Sequence, residues 1–270
     1  MVECNNYKQL EEIENLQKTL TKYMMYYKFG MEEINTKISI LQQEFQYVHS
    51  YNPIEHVKSR LKTPQSIINK VHRRGYEFTI DSIRKNVLDI AGIRIICSFT
   101  SDIYSVSKML VNQRDIEVVE YKDYIKNPKP NGYQSLHMIL KIPVFMSDRV
   151  EEAFVEVQIR TIAMEFWASL EHKIYYKYDK EIPENLKNDL KDAADQISQL
   201  DYKMEQIHMQ MQKLKFENDN KEQICEITED DEFQKLTNKY ISMLFSNSID
   251  SWLKLNLSSV MFGKNDILMI

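Results

Sequence analysis

The sequence predicts an α+β fold: a mixed β-sheet flanked by helices, with one long helix on the N-terminal side and another on the C-terminal side. Three observations predict it. Apolar residues recur in steps of four and three near both ends of the chain, four short runs mostly rich in β-branched residues lie between them, and helical patterns separate some of those runs. At 270 residues and 32.2 kDa, the chain has room for one catalytic domain of about 150–200 residues plus helical extensions. A hydrophobic content of 43% with only 5 Gly and 6 Pro fits a folded, helix-leaning chain rather than a disordered one.

The first helix is read from Leu20, Met24, Tyr27, Met31, Ile34, Ile38, Leu41, Phe45 and Val48, which form a single apolar stripe. Gly30 is expected to weaken its middle, and Tyr51-Asn52-Pro53 ends the pattern. A basic segment from Lys58 to Arg74 follows. The expected strands are Ile93–Phe99, Ile116–Tyr121, Leu136–Ile142 and Ala153–Ile159, with a helical pattern over Ile103–Asn112. A second stripe runs through Leu186, Leu190, Ala193, Ile197, Leu200, Met204, Ile207, Met211 and Leu214. It has two readings, a helix lying on its own domain or a helix joining subunits. Glu226–Glu232 is acidic and reads as a solvated linker, and the residues around Trp252, Leu253, Leu255, Leu257 and Phe262 carry no interpretable motif. The expected organisation is therefore a helical extension over 1–50, a catalytic domain over 51–180, an amphipathic helix over 181–217 and a tail over 218–270.

Charge and cysteine usage narrow the function classes. A net charge of −5 argues against a surface that coats nucleic acid, so any phosphate site must be a local basic cluster. Cys4, Cys97 and Cys225 are far apart and form no Cys-x-x-Cys pair, which argues against a disulfide framework or a zinc site and fits a reducing cytosol. No basic-then-apolar leader is visible at the start, and no run approaches the ~20 apolar residues of a membrane span. The expected setting is cytoplasmic.

Four segments could carry chemistry. Arg60 and Lys62, with Ser66 and Lys70 downstream, place cations near a helix start. Two residues apart, Arg60 and Lys62 can share a cleft only on an extended segment. Such a pair suits a polyphosphate, although basic runs are usually solvated faces. Asp89 stands just before a buried strand, where it could help hold Mg²⁺ or simply belong to a helix-to-strand turn. Pro128-Lys129-Pro130-Asn131-Gly132-Tyr133 reads as a tight turn presenting Tyr133 at a loop edge, where its ring could stack on a base. In Ala153–Arg160 the residues alternate, with Val155, Val157 and Ile159 on one face and Glu156, Gln158 and Arg160 on the other. That polar face is either a wet surface or the floor of a cleft. Beside Asp89, Glu156 would supply a second carboxylate for metal-assisted transfer.

Together these pieces carry a family resemblance. Arg60-x-Lys62, Asp89-x-Ala91-Gly92-x-Arg94, Lys122-Asp123-Tyr124, the run from Pro128 to His137, the run from Glu156 to Thr161, and Trp167-Ala168-Ser169-Leu170-Glu171-His172 occur in the order seen in the RelA/SpoT synthetase domain. The chain resembles a single-domain small alarmone synthetase over roughly residues 50–180, and six ordered motifs make the resemblance specific. It implies a nucleotidyltransferase-like synthetase domain that moves the β,γ-pyrophosphate of ATP to the ribose 3′-OH of GTP or GDP, making AMP and (p)ppGpp.

By the same resemblance, Arg60 and Arg94 would sandwich adenine, Lys62 and Lys70 would hold the ATP phosphates, and Ser66 would belong to the ATP site. Asp89 would bind Mg²⁺, and Glu156 would position or deprotonate the 3′-OH and share the metal. Tyr133 would stack on the acceptor guanine, with Lys122, Lys129, Asn131, His137 and Gln158 around it. A homotetramer is implied, along with synthesis unaccompanied by alarmone hydrolysis, since none of the 6 histidines is followed by Asp. Glu120-Tyr121-Lys122-Asp123 mixes the charge patterns found at that place in the family, which leaves preference among GTP, GDP and GMP open. Two other readings stand beside this one: a relative that pyrophosphorylates tRNA or adenine nucleotides, and a nucleotide- or RNA-binding regulator with a dead site. The second has Asp89 and Glu156 together against it.

Overall fold

Residues 91–97 are mostly buried and residues 150–161 bury Ala153, Val155, Val157 and Ile159 on one face, and the two segments pair in parallel as interior strands of the sheet. The computed structural model describes residues 2–49, 51–176 and 183–225, with side chains over most of that range. The elements, in order, are α1 (Val2–Val48), β1 (Ile54–Leu61), α2 (Pro64–Arg74), α3 (Ile80–Asn86), β2 (Ala91–Cys97), α4 (Thr100–Val111), β3 (Glu117–Asp123), β4 (Leu136–Phe145), β5 (Val150–Thr161), α5 (Ile162–Tyr176) and α6 (Glu184–Cys225). The five strands form one mixed sheet in the order β1-β2-β5-β4-β3. In it β2 and β5 are parallel and every other pair is antiparallel.

The α+β expectation and both long helices are present, and all four expected strands exist with shifted ends. β4 runs on through Pro143 to Phe145, paired with β5 as far as Val150. β1 and α3 were not expected. The basic segment begins inside β1, a strand at the sheet edge that buries only Ile54 fully. Its remaining residues are exposed or half-buried, so no apolar alternation marks it as a strand. The extended segment that Arg60 and Lys62 required is this strand and the residue after it.

One face of the sheet is the core. Ile93, Ile95, Val155, Val157, Ile159, Leu136, Met138 and Leu140 are buried there with Ile103, Val106 and Leu110 of α4. The α1 stripe joins the same cluster through Met24, Tyr27, Ile34 and Ile38. Gly30 corrects the sequence expectation. It is buried, and a β-carbon there would overlap the Ala153 β-carbon on β5. Glycine at this position allows the helix to approach the strand, which offsets its low helix propensity.

Local caps fix the entry to α2. Thr63 accepts a hydrogen bond from the Ser66 N–H at 3.2 Å, Pro64 begins the helix, and Gly75 closes it at φ 66°. The chain divides into two compact units, Met1–His208 and Met209–Ile270. Within the first, Trp167 donates to the Leu190 carbonyl at 2.9 Å, Thr161 bonds Asp201, and the His208 ring stacks on Phe99 at 4.1 Å. The described part of the second is helical, with Met209, Met211, Leu214 and Phe216 exposed. The acidic stretch Glu226–Glu232 and the apolar residues from Trp252 to Phe262 lie outside the described residues.

Candidate active site

Strand register lays the site out on the face opposite the core. Lys58 of β1 pairs with Arg94 of β2, Arg94 with Gln158 of β5, Gln158 with His137 of β4, and His137 with Lys122 of β3. One step along, Arg60, Gly92, Glu156, Ile139 and Glu120 form a parallel row. Residues paired in register share a face, so all five strands contribute polar side chains to one surface. At about 4.8 Å per strand the row spans roughly 19 Å, enough for two nucleotides side by side. The polar face of β5 is thus the floor of a cleft.

An open cleft of about 680 Å³ occupies the β1 side of this surface, lined by Lys58, Ser59, Arg60, Lys62, Asp89, Gly92, Ile93, Arg94, Glu156 and Gln158. Asp89 Oδ2 lies 2.5 Å from Lys62 Nζ and 2.7 Å from Lys70 Nζ, and Lys62 also donates to the Asp89 carbonyl at 2.8 Å. Burial pushes the Asp89 carboxyl up, but the two lysines outweigh it and hold it below the usual range. Its other oxygen, Oδ1, is buried and has no hydrogen-bond partner. Gly92 presents a bare stretch of floor between Arg60 and Glu156.

On the β4 side a ring cluster adjoins Glu156. His137 Nδ1 is 3.5 Å from Glu156 Oε1, and His137 Nε2 is 2.7 Å from the Tyr133 hydroxyl. Arg160 donates to that hydroxyl, and a guanidinium cannot accept, so the tyrosine proton is free to point at His137 Nε2. A neutral His137 then carries its own proton on Nδ1, toward Glu156. Burial tends to raise the Glu156 carboxyl and Asp89 adds to that, while contact with His137 brings the net value below the usual glutamate range.

The Tyr133 ring is half-buried rather than standing free at a loop edge. Lys129 Nζ sits 4.7 Å from its centre and the Arg160 guanidinium 5.0 Å, and Tyr124 meets it edge-on. The turn before it is held in place. Gly132 takes φ 86°, and a β-carbon there would come 2.5 Å from the Ala194 β-carbon of α6. Asn131 accepts from the Tyr133 N–H at 3.2 Å and donates to Glu171 at 3.1 Å.

Of the expected site residues, Arg60, Lys62, Asp89, Arg94, Glu156 and Gln158 meet in the cleft, and Lys70 joins them through Asp89. Asn131, Tyr133, His137 and Lys129 gather beside Glu156. Two stand apart. Ser66 lies in the first turn of α2 with its hydroxyl 2.9 Å from that of Thr63, and Lys122 is exposed and paired with Glu120 at 2.5 Å. Residue-level reading passed over Glu165, which binds both Arg94 and Arg160. Its one signal was an acid set among Ile162, Ala163, Met164, Phe166 and Trp167.

Comparison with known proteins decides the family. Residues 59–181 match the model described as the region found in RelA/SpoT proteins. The chain is 48% identical over 195 residues to the GTP pyrophosphokinase YwaC of Bacillus subtilis strain 168, covering 72% of this chain and 93% of that protein. The chain belongs to the RelA/SpoT family. Among solved structures it is similar to small alarmone synthetase 2 from Bacillus subtilis, with a TM-score of 0.65 at 48% identity over 71% of this chain and 98% of that one. It is also similar to small alarmone synthetase 1 from the same organism bound to its product pppGpp, with a TM-score of 0.66 at 36% identity over 72% of this chain and 99% of that one. The RelA/SpoT match begins inside β1 and ends just past α5, so it takes in every residue lining the cleft except Lys58.

Proposed function

We infer that this RelA/SpoT chain is a GTP pyrophosphokinase that makes (p)ppGpp. The observation that carries the reading is the position of Glu156, between the lysine–aspartate cluster on one side and the tyrosine–histidine cluster on the other. In a reaction joining a polyphosphate donor to a nucleoside acceptor, a carboxylate at that junction can orient the attacking hydroxyl and accept its proton.

Arg60 and Arg94 hold the adenine of ATP. Lys62 and Lys70 share the single carboxylate of Asp89, so the cluster keeps a net positive charge, which they turn to the β- and γ-phosphates. Tyr133 takes the guanine, for which Lys129 swings off its ring, and Asn131, His137 and Gln158 surround the acceptor, with Lys122 farther out on the same sheet face and free to reach it only by leaving Glu120.

The residues fit a divalent cation. Asp89 Oδ1 is buried without a partner and Glu156 stands nearby, which suits Mg²⁺, an ion that takes one or two carboxylates and completes its shell with water and phosphate oxygens. When bound, Mg²⁺ offsets charge on the transferring phosphates. Among the described residues no group of three or more His, Cys, Asp and Glu side chains could hold an ion alone, so substrate phosphates complete the shell.

Glu156 is ionised at neutral pH and accepts the hydrogen bond of the 3′-OH. As the bond from that oxygen to the β-phosphorus forms, the bond from the β-phosphorus to the α,β-bridging oxygen breaks and AMP leaves. The hydroxyl proton passes to Glu156. A carboxylate held below its usual range is a weak base, so Glu156 contributes chiefly by orienting the nucleophile and stabilising its charge.

Exposed Leu200, Met204, Ile207, Met211 and Leu214 on α6 support the subunit-joining reading of that helix, and we take the working form to be a homotetramer. Among the described residues no helix is long and apolar enough to cross a membrane, and the cytoplasm supplies both nucleotides. The test is product analysis with ATP labelled in its terminal phosphates and GTP, GDP, GMP, ATP or tRNA as acceptor. Label on GTP or GDP with release of AMP is expected, and label only on tRNA or an adenine nucleotide would contradict the reading.

A further inference from the structure

Glu165 of α5 uses both carboxylate oxygens on arginines that reach the site. Oε1 accepts from Arg94 at 2.8 Å and Oε2 from Arg160 at 2.7 Å, while Ser169 donates to Oε1 at 3.1 Å. The Glu165 side chain is 12% exposed and that of Arg160 is 5% exposed. Arg160 is committed on all sides: its Nε donates to Ser135 at 3.2 Å, and its remaining amino group donates to Gln158 at 3.0 Å and to the Tyr133 hydroxyl. Tyr133 continues the line to His137, and His137 continues it to Glu156. An unbroken series of polar contacts therefore runs from Arg94, on the ATP side, to Tyr133 and Glu156 on the acceptor side.

We propose that Glu165 is a positioning residue that couples the two substrate subsites by holding Arg94 and Arg160 at once. The inference rests on the pyrophosphokinase reading for the names of the subsites, and on the geometry alone for the coupling. Arginine side chains are long and rotamer-rich, so an anchor on the far side of the guanidinium keeps it in place against a planar ring. Glu165 gives Arg94 that anchor: NH1 is bound, and Nε is buried without a partner of its own. With Arg160 held by the same carboxylate, displacement of either arginine loosens the other. Glu165 lies outside the residues that line the cleft, so it acts through the arginines and touches neither substrate.

Calorimetric binding of a non-hydrolysable ATP analogue and of GDP, each alone, tests the coupling without relying on turnover. Glu165→Gln keeps the shape and removes the charge from both contacts. Affinity for each nucleotide should fall roughly tenfold, the scale of one charge-assisted hydrogen bond. Repeating the titrations in a Tyr133→Phe background separates positioning from general loosening. There the Glu165→Gln effect on GDP should shrink to less than about twofold, while its effect on the ATP analogue should persist. Glu165→Asp keeps the negative charge between two cations, so it preserves folding, but it cannot span both arginines and should show the same losses. Unchanged affinities in Glu165→Gln and Glu165→Asp would overturn the proposal, and so would equal effects on GDP with and without the Tyr133 hydroxyl. Turnover of the wild-type enzyme is a separate readout: binding that behaves as described, with no transfer to a guanine nucleotide, would reject the pyrophosphokinase reading and leave the coupling standing.

Discussion

His137 Nδ1 lies 3.5 Å from Glu156 Oε1, and the two residues occupy neighbouring antiparallel strands, one register step apart. The contact joins the Tyr133–His137 ring cluster, proposed to hold the acceptor, to the carboxylate at the centre of the cleft floor. It also holds Glu156 in its ionised form despite burial. His137→Ala should therefore lower kcat more than it weakens ATP binding, and steady-state kinetics with each nucleotide varied in turn would check it.

Tyr133→Ala should weaken the acceptor and spare ATP. The change removes a ring, and base–aromatic stacking is worth about 1–3 kcal/mol, so the guanine-nucleotide KM should rise roughly 5- to 150-fold. A larger rise in the KM for ATP would mean the subsites are reversed.

Gly30→Ala should destabilise the fold, although alanine is the better helix former. Its β-carbon would overlap that of Ala153, and forced overpacking costs about 1–3 kcal/mol, against at most about 1 kcal/mol of helix propensity gained. Urea denaturation of the variant and the wild type compares the two effects. A variant more stable than the wild type would mean that α1 can retreat from β5 at no cost.

The depressed carboxyl of Glu165 makes an acid-side prediction. Burial raises it, but Arg94 and Arg160 pull it below the usual glutamate range. Its contribution to stability is thus present above the unfolded value of about 4.3 and is lost as pH falls through the lower folded value. The stability gap between the wild type and Glu165→Gln should be constant from about pH 7 to pH 5 and should narrow below about pH 4.3. Denaturation curves across that range would show it.

Much of this arrangement was legible in the residues. The alternation through Val155, Glu156, Val157 and Gln158 gave the shared polar face, because a strand with one buried face must turn its other residues outward, but only the neighbouring strands make that face a cleft floor rather than a wet surface. β1 was not legible, since its cleft-facing cations erase the apolar period that reveals a strand. Gly30 read as a weak point because its partner, Ala153, lies 123 residues away in sequence and only the packed fold brings them together. Glu165 escaped for the same reason: its two arginines come from different strands, and neither carries a local pattern that points to α5.

The α6 stripe predicts an assembly. Leu200 is 54% exposed and Ile207 is 44% exposed in the single chain, so Asp at both positions should dissociate any oligomer or disturb folding. Light scattering at equal concentration compares the variant with the wild type, and a wild type that runs as a 32.2 kDa monomer at micromolar concentration would remove the oligomer from the account.

Glu156→Gln bears on the role proposed for Glu156 at the junction of the two substrates. Single-turnover transfer from labelled ATP to GDP, measured beside calorimetric binding of each nucleotide, separates chemistry from affinity. Transfer should fall roughly 10²-fold or more while both nucleotides still bind. Near-normal transfer in that variant would contradict the assignment.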